Sequence, residues 1–151
     1  MTAKVKRILV VEDCEQDIEL TLAALEGHNV ANEVDVARDG AEALDYLYRR
    51  GAFASRIGDL PVVILLDLKM PRVDGLEVLR RIKADPELKK IPVVMLTSSR
   101  EEQDLVTSYA LGVNAYVVKP VDFQQFMESV KQLGCFWAVI NEPPPLPLSS
   151  A

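Results

Sequence analysis

Four short apolar runs, each followed by polar or charged residues, constrain the fold of this chain most. The runs are residues 8–11, 62–66, 92–96 and 115–118, and they are followed by Glu12-Asp13, Asp67, Thr97 and Lys119-Pro120. In a parallel α/β sheet, ligands bind in the crevice at the carboxyl ends of the strands. We therefore expect these polar residues to meet in one crevice, where three carboxylates, a hydroxyl and an ammonium suggest a metal ion and a phosphoryl group.

The rest of the chain alternates between strand and helix patterns. Five strands are predicted, at residues 7–11, 33–37, 62–66, 93–96 and 115–118. Five helices are predicted where apolar residues recur at helical spacing, at residues 14–26, 39 to about 51, 75–84, 101–111 and 122–133. Five tandem strand–helix units predict one doubly wound α/β domain. Residues 141–151 contain four prolines and are expected to form an extended tail.

Composition and charge argue against several classes of partner. The 151 residues are 49% apolar and 26% charged, a balance typical of one globular domain. The net charge of −6 argues against nucleic acid or an anionic membrane, since both attract clustered Lys and Arg. No apolar run approaches the roughly 18 residues of a membrane span, and residues 1–7 lack the apolar core of a secretory signal. Cys14 and Cys135 are expected to be reduced thiols in a cytoplasmic protein.

The residue types at the strand ends support phosphoryl transfer to a carboxylate. A phosphate monoester carries about two negative charges near neutral pH, so attack by a carboxylate requires a divalent cation and a fixed ammonium. Asp67 follows the most apolar strand and is the expected nucleophile. Glu12 and Asp13 are expected to hold Mg²⁺, which prefers oxygen ligands. Lys119 and Thr97 can each contact a phosphoryl oxygen.

With these motifs, the chain resembles the receiver domain of two-component response regulators. The matching segments are ILVVED at residues 8–13, LLDLKMPRVDG at 65–75, VVMLTSS at 93–99 and YVVKP at 116–120. The resemblance covers residues 5 to about 133. It implies a flavodoxin-like α/β fold, in which a five-stranded parallel sheet of order 2-1-3-4-5 is covered by five helices. With its carboxyl-terminal helical extension, the receiver domain is expected to span residues 5–140.

The resemblance also implies how the acidic residues divide the chemistry. Asp67 accepts a phosphoryl group from a sensor histidine kinase. Asp13 and Asp67 bind Mg²⁺ directly, and Glu12 binds it through a water molecule. The backbone carbonyl of Lys69, two residues after the nucleophile, is expected to complete the protein ligands.

The remaining motif residues match the part of the family that changes conformation. Thr97 and Tyr116 match its switch pair, Ser98 begins the loop that is expected to shift, and Lys119 matches the lysine that contacts the phosphoryl group. The bond between Lys119 and Pro120 matches one that is often cis in the family. Phosphorylation is expected to change the face formed by the fourth helix, the fifth strand and the fifth helix.

The carboxyl-terminal segment departs from the general receiver pattern. Residues 135–140 are all apolar, whereas a surface helix should show a polar face. One interpretation is a last turn folded onto the core. The other, which we favour, is a contact surface for a homodimer or a kinase, with Phe136, Trp137 and Ile140 as anchors. The prolines that follow, together with a long loop at residues 49–60, resemble stand-alone regulators paired with bacterial phytochrome-type kinases.

Output is expected through protein contacts, because the roughly eighteen residues after the last helix cannot form a DNA-binding or enzymatic domain. Other functional classes remain open. An aspartate-nucleophile phosphatase also uses Mg²⁺ on an α/β fold, but it usually has a second acid where this chain has Lys69. A flavin-binding domain needs a Ser/Thr/Gly-rich loop after the first strand, where this chain is acidic. A receiver without phosphorylation would be a constitutive interaction module. His28 is expected on the surface, with no catalytic role.

Overall fold

The computed structural model describes residues 6–26, 33–56 and 60–142. Two of the predictions from the sequence lie outside these ranges. They are the surface position of His28 and the extended conformation of residues 143–151.

A five-stranded parallel sheet with the order β2-β1-β3-β4-β5 forms the centre of the molecule. The strands are β1 (Arg7–Val11), β2 (Glu33–Ala37), β3 (Val63–Leu66), β4 (Val93–Thr97) and β5 (Ala115–Val118). The predicted flavodoxin-like strand order is therefore confirmed. β4 ends one residue later than predicted because Thr97 still pairs with Val118 of β5.

Five α-helices connect and cover the strands, as predicted. They are α1 (Glu15–Glu26), α2 (Gly40–Tyr48), α3 (Gly75–Ala84), α4 (Glu102–Ala110) and α5 (Phe123–Gly134). The carboxylates of Asp39, Asp74 and Asp122 accept backbone hydrogen bonds at the starts of α2, α3 and α5, which makes them N-caps. None of the described helices is long and apolar enough to cross a membrane.

Both faces of the sheet are buried, because successive residues of a strand point to opposite sides. Leu9 and Val11 of β1 belong to a core cluster that includes residues of α2 and α3. Ile8 and Val10 belong to a second cluster, with residues of α1 and α5. β1 thus carries only apolar side chains from Ile8 onward, and β3 does so along its whole length. Polar side chains can follow only where these strands end, and this arrangement places the candidate site at the carboxyl edge of the sheet.

The long loop between α2 and β3 is anchored on Tyr46 of α2. The ring of Phe53 meets the Tyr46 ring edge-on, with centroids 5.3 Å apart. The guanidinium of Arg56 lies over the Tyr46 ring, 4.0 Å from its centroid, and donates hydrogen bonds to the Tyr46 carbonyl. The Tyr46 hydroxyl donates to the carboxylate of Asp35 in β2. The described part of this loop up to Arg56 is therefore fixed to the β2 side of the molecule by aromatic and hydrogen-bonding contacts.

The apolar carboxyl-terminal segment continues α5 as a π-helical stretch, Cys135–Ile140. Ala138 is buried, and Trp137 is partly buried against the core cluster that includes residues of α1 and α5. The side chains exposed on the segment are those of Phe136, Val139 and Ile140. One side of the segment is thus folded onto the core, while the other side presents apolar groups to the solvent.

The peptide bond between Lys119 and Pro120 is trans, since none of the peptide bonds in the described part of the chain is cis. The prediction of a cis bond is therefore wrong for this structure. A bond before proline favours the trans form by about 0.5–1 kcal/mol unless its surroundings fix the cis form. With the trans bond, the backbone N–H of Lys119 still donates to the carbonyl of Thr97, at 2.8 Å.

Candidate functional site

Backbone hydrogen bonds at the ends of the strands hold three site residues side by side. The N–H groups of Glu12, Asp67 and Lys119 donate to the carbonyls of Ala37, Val11 and Thr97 at 2.9, 3.0 and 2.8 Å. Each bond continues the parallel ladder by one step beyond the strand. The three side chains therefore start from fixed points along one edge of the sheet, although they belong to distant parts of the sequence.

The carboxylates predicted to bind a metal ion form one cluster. Oxygen atoms of Glu12, Asp13 and Asp67 all lie within 4.8 Å of one another. Glu12 and Asp67 are buried, whereas Asp13 is exposed. A cavity of about 460 Å³ adjoins the cluster and is lined in part by Asp13 and Lys69. The residues fit Mg²⁺, a hard cation that takes oxygen ligands and usually keeps several water molecules.

The ammonium of Lys119 lies among carboxylates, and its side chain is only 9% exposed. It donates to Glu12 and, at 2.8 Å, to Asp17, and it lies 3.7 Å from the nearest oxygen of Asp67. Burial lowers the pKa of Lys119, but the hydrogen bonds to Asp17 and Glu12 and the charge of Asp67 together raise it above its usual value. Lys119 is therefore a fixed positive charge beside the expected nucleophile.

Glu12 differs from the other carboxylates because it is buried next to a second negative charge. Burial, and then the charge of Asp67, raise the pKa of Glu12 to about 7, although Lys119 opposes this shift. A second oxygen of Glu12 accepts a hydrogen bond from the N–H of Cys14 at 3.1 Å. Without a bound cation, Glu12 therefore carries a proton for part of the time near neutral pH.

A close backbone contact fixes the chain that follows Asp67. The N–H of Gly75 donates to the carbonyl of Leu68 at 2.7 Å, and the N–H of Leu68 donates to the Asp67 carboxylate at 2.8 Å. A Cβ atom at position 75 would lie 2.2 Å from the carbonyl oxygen of Asp67, so only glycine fits there. The sequence placed Gly75 at the start of a helix but did not indicate this contact.

The predicted switch residues are connected through Ser99. Thr97 is 1% exposed, and its hydroxyl oxygen accepts a hydrogen bond from the N–H of Ser99 at 3.3 Å. The hydroxyl of Tyr116 donates to the Ser99 carbonyl at 3.1 Å. Ser98 is exposed and lines a smaller cavity, of about 170 Å³, together with Lys119. The structure thus brings Ser98 next to Lys119, but Ser99 makes the bonds to both switch residues.

Three polar residues near the site were missed in the sequence analysis, namely Ser99, Asp104 and Asp17. Ser99 donates its hydroxyl hydrogen to Asp104 of α4 at 2.6 Å. The Lys69 ammonium lies 3.9 Å from the Asp104 carboxylate and 3.6 Å from that of Glu101, and Lys69 and Asp104 both line the adjoining cavity. Asp17 is the third, and it contacts Lys119. The sequence signals that could have indicated them were the second serine after Thr97 and the acidic residues in the first turns of α1 and α4.

Comparison with known proteins identifies the family. The model of the response regulator receiver domain matches residues 8–131. The chain belongs to this family. The response regulator Rcp1 of Synechocystis sp. is 39% identical over 132 residues, which cover 87% of this chain and 88% of Rcp1. The predicted receiver domain is therefore confirmed.

Solved structures of response regulators, two of which are named for phytochromes, resemble this receiver chain. The phosphorylated cyanobacterial phytochrome response regulator RcpA is 43% identical, with a TM-score of 0.88, over 95% of this chain and 100% of RcpA. The Mn²⁺-bound form of Rcp1 is 38% identical, with a TM-score of 0.86, over 93% and 99% of the two chains. The bacteriophytochrome response regulator RtBRR is 62% identical, with a TM-score of 0.74, over 93% of this chain and 85% of RtBRR. This receiver is thus homologous to phytochrome-associated regulators.

The raised pKa of Glu12 predicts how the stability of the metal-free protein depends on pH. An unfolded chain releases this proton near pH 4.5, whereas the folded protein holds it up to about pH 7. The protonated Glu12 therefore contributes fully to stability at a pH below its unfolded-state pKa. This contribution is lost as the pH rises through its folded-state pKa. Thermal unfolding in the presence of a chelator should show the Tm of the wild type falling, relative to that of Glu12→Gln, between about pH 4.5 and about pH 7. A difference in Tm that does not change with pH would contradict this prediction.

Proposed function

We propose that the chain is a stand-alone response regulator that accepts a phosphoryl group on Asp67 from a sensor histidine kinase. The observation that carries this proposal is the crevice at the strand ends, where the Asp67 carboxylate lies 3.7 Å from the Lys119 ammonium and beside two further carboxylates. A nucleophile, a fixed cation and a set of metal ligands are the groups that phosphoryl transfer requires. The length over which this chain matches Rcp1 supports a regulator built from one receiver domain, spanning residues 5–140.

The proposed reaction transfers the phosphoryl group without an added reactant. A carboxylate oxygen of Asp67 forms a bond to phosphorus while the phosphorus–nitrogen bond of the phosphohistidine breaks. The histidine nitrogen keeps the electron pair of that bond and takes up a proton. Lys119 offers an N–H donor to a phosphoryl oxygen and reduces the repulsion between the two anions. The product is an acyl phosphate on Asp67.

We assign the cofactor as Mg²⁺, held directly by Asp13, Asp67 and the backbone carbonyl of Lys69, and by Glu12 through water. Support comes from the three clustered carboxylates and from the Mn²⁺-bound form of the relative Rcp1. When bound, the cation would neutralise negative charge on the phosphoryl oxygens. The exposed position of Asp13 leaves this side of the cluster open to the solvent, from which a hydrated cation would enter.

Substitution of Asp67 tests the proposed phosphorylation. Incubation of the wild type with acetyl phosphate and Mg²⁺ should add one phosphoryl group, detected by intact-mass spectrometry. Asp67→Asn should gain none, because an amide is not a nucleophile for this reaction. Asp74→Asn is the matched control, since Asp74 lies in the same loop and an asparagine can still cap α3. Phosphorylation of Asp67→Asn to the extent of the wild type would contradict the proposal.

We further propose that phosphorylation acts on the face formed by α4, β5 and α5. New phosphoryl oxygens would attract the Thr97 hydroxyl and the neighbouring Ser98, and the loop after β4 would move with them. Support comes from the contacts of Ser99, which joins Thr97, Tyr116 and Asp104 of α4 by hydrogen bonds. A shift of this loop would therefore change the position of α4 and the contacts of Tyr116.

Thr97→Ala tests this coupling separately from the chemistry. The variant should still be phosphorylated, since Asp67 and the cation ligands remain. The change in the backbone NMR signals of α4 and β5 on phosphorylation should, however, be strongly reduced. Thr97→Ser keeps the hydroxyl and should behave like the wild type. If phosphorylated Thr97→Ala showed the full change in these signals, the proposed role of Thr97 would be wrong.

The partners that we propose are proteins, in line with the net charge of −6. RcpA and RtBRR, which are similar to this chain, are described as phytochrome and bacteriophytochrome regulators, and this supports a phytochrome-type kinase. Such a kinase uses ATP, so we place the exchange in the cytoplasm. We propose no enzymatic activity on other substrates, because Lys69 stands where an aspartate-nucleophile phosphatase would have its second acid. Catalytic hydrolysis of a phosphomonoester by this protein would instead support a phosphatase.

The exposed side of Cys135–Ile140 is proposed as a contact surface between two copies of the chain. Its outward side chains are Phe136, Val139 and Ile140. Trp137 lies beside them, and the centroid of its ring is 5.0 Å from that of the Phe136 ring. Aromatic side chains that lose water on association contribute strongly to interfaces. The same surface could instead receive the kinase, and the next experiment distinguishes these occupants.

Replacement of both Phe136 and Ile140 by serine tests the homodimer. Light scattering coupled to size-exclusion chromatography should give a dimer for the wild type and a monomer for the variant, because the variant loses two apolar anchors. Val121→Ser is the matched control, since Val121 is 92% exposed but lies outside the segment. A wild type that is monomeric with and without phosphorylation would contradict self-association.

A further inference from the structure

Lys119 is held by two carboxylates, and only one of them belongs to the expected metal ligands. A lysine ammonium has three N–H donors. One is directed to Glu12 and a second to Asp17, at 2.8 Å. The distance of 3.7 Å to Asp67 is too long for a hydrogen bond, so the third donor is available on the side of the nucleophile. The two bonds together fix the direction of that remaining N–H.

Asp17 reaches Lys119 from a different element of the fold. It lies in the first turn of α1, and its side chain is 25% exposed, whereas that of Glu15 in the same turn is 62% exposed and pairs with Arg38. An acidic residue in this turn is favourable for the helix dipole without any partner. That general effect does not account for a short hydrogen bond to a lysine that is itself 9% exposed. Asp17 therefore has a specific contact that joins α1 to the crevice.

The contact of Asp17 with Lys119 matters because Glu12, which also binds the Lys119 ammonium, is expected to take part in cation binding as well. Glu12 belongs to the three clustered carboxylates that fit a cation, while Asp17 is not a member of that cluster among the described residues. Asp17 can therefore hold the ammonium whatever Glu12 binds. Its hydrogen bond is charge-assisted, which makes it stronger than a neutral one. A side chain as long as lysine has many rotamers, so a second anchor strongly limits the positions that its ammonium can take.

We propose that Asp17 is a positioning residue for phosphoryl transfer, which holds the Lys119 ammonium so that one N–H points to the phosphoryl group on Asp67. This inference rests on the proposed function. A competing effect has the opposite sign, since Asp17 adds negative charge near an anionic donor and its removal would favour the approach of that donor. The two effects can be separated by variants that remove the charge, the hydrogen bond or both.

Three variants separate these effects. Asp17→Ala removes both the charge and the hydrogen bond, while Asp17→Asn removes the charge but keeps an oxygen that accepts a hydrogen bond. Glu19→Gln is the matched control, because it removes one negative charge from an exposed position on the same helix. Glu19→Gln should keep a Tm close to that of the wild type, and both Asp17 variants should still fold, with a Tm lowered by roughly a few degrees, since Asp17 is not a core residue.

The first measurement needs neither metal nor phosphorylation. The ammonium signal of Lys119 in nitrogen–proton NMR can be assigned by its loss in Lys119→Arg. Its exchange with water should accelerate at least about tenfold in Asp17→Ala, the scale of one lost charge-assisted hydrogen bond. Asp17→Asn should show a smaller acceleration, and Glu19→Gln should show none. An unchanged exchange rate in Asp17→Ala would overturn the anchoring.

The second measurement is the rate of phosphorylation by acetyl phosphate with Mg²⁺. Misplacement of Lys119 should slow Asp17→Ala about tenfold or more, and Asp17→Asn should recover part of the rate. An equal or faster rate in Asp17→Ala would overturn the positioning role, as would an equal loss in Glu19→Gln. If the wild type itself took up no phosphoryl group, the proposed function would fail. If the wild type were phosphorylated and Asp17→Ala reacted at the same rate, only the proposed role of Asp17 would be wrong.

Discussion

The charge balance around Lys119 is the interaction on which the site depends. One ammonium lies among the carboxylates of Glu12, Asp17 and Asp67, and it is almost completely buried. Without this cation, two buried carboxylates would face each other with no positive charge beside them, which is costly in a buried position. Burial, and then the charge of Asp67, raise the pKa of Glu12 although Lys119 opposes this shift. A divalent cation and a phosphoryl group, which carry opposite charges, could therefore be accommodated together in this crevice.

The apolar frame of the sheet makes such a concentration of charge possible. β1 and β3 are buried on both faces, and the polar residues follow only after the last apolar residue of each strand. The hydrophobic contacts that stabilise the fold are thus separated in space from the polar groups of the candidate site. The contact of Gly75 with the Asp67 backbone extends this rigidity to the loop that follows Asp67. The proposed nucleophile is thus positioned by backbone contacts with both Val11 and Gly75.

Ser99 links Thr97 in the crevice to Asp104 of α4 by hydrogen bonds, and α4 is weakly packed. Within α4, the buried residue is Ser108, whose hydroxyl has no hydrogen-bond partner among the described residues. The apolar side chains of Leu105, Val106 and Tyr109 are exposed on the same helix. A buried, unpaired hydroxyl costs about 1–3 kcal/mol, so α4 gains little from its present position. A helix with few buried apolar contacts is the one that a small shift in the site can move most easily.

The sequence by itself determined the clustered carboxylates, Thr97 and Lys119 of the crevice, and the resemblance of its motifs to the receiver family implied the strand order. Apolar runs of strand length fix local structure, and parallel strands bring their ends together, so Asp67 and Lys119 could be placed without coordinates. Only the tertiary structure decided that Asp17 anchors Lys119, that Ser99 joins the switch residues, and that the peptide bond before Pro120 is trans. These features depend on the direction of side chains and on packing between distant elements, which residue spacing along the chain does not encode.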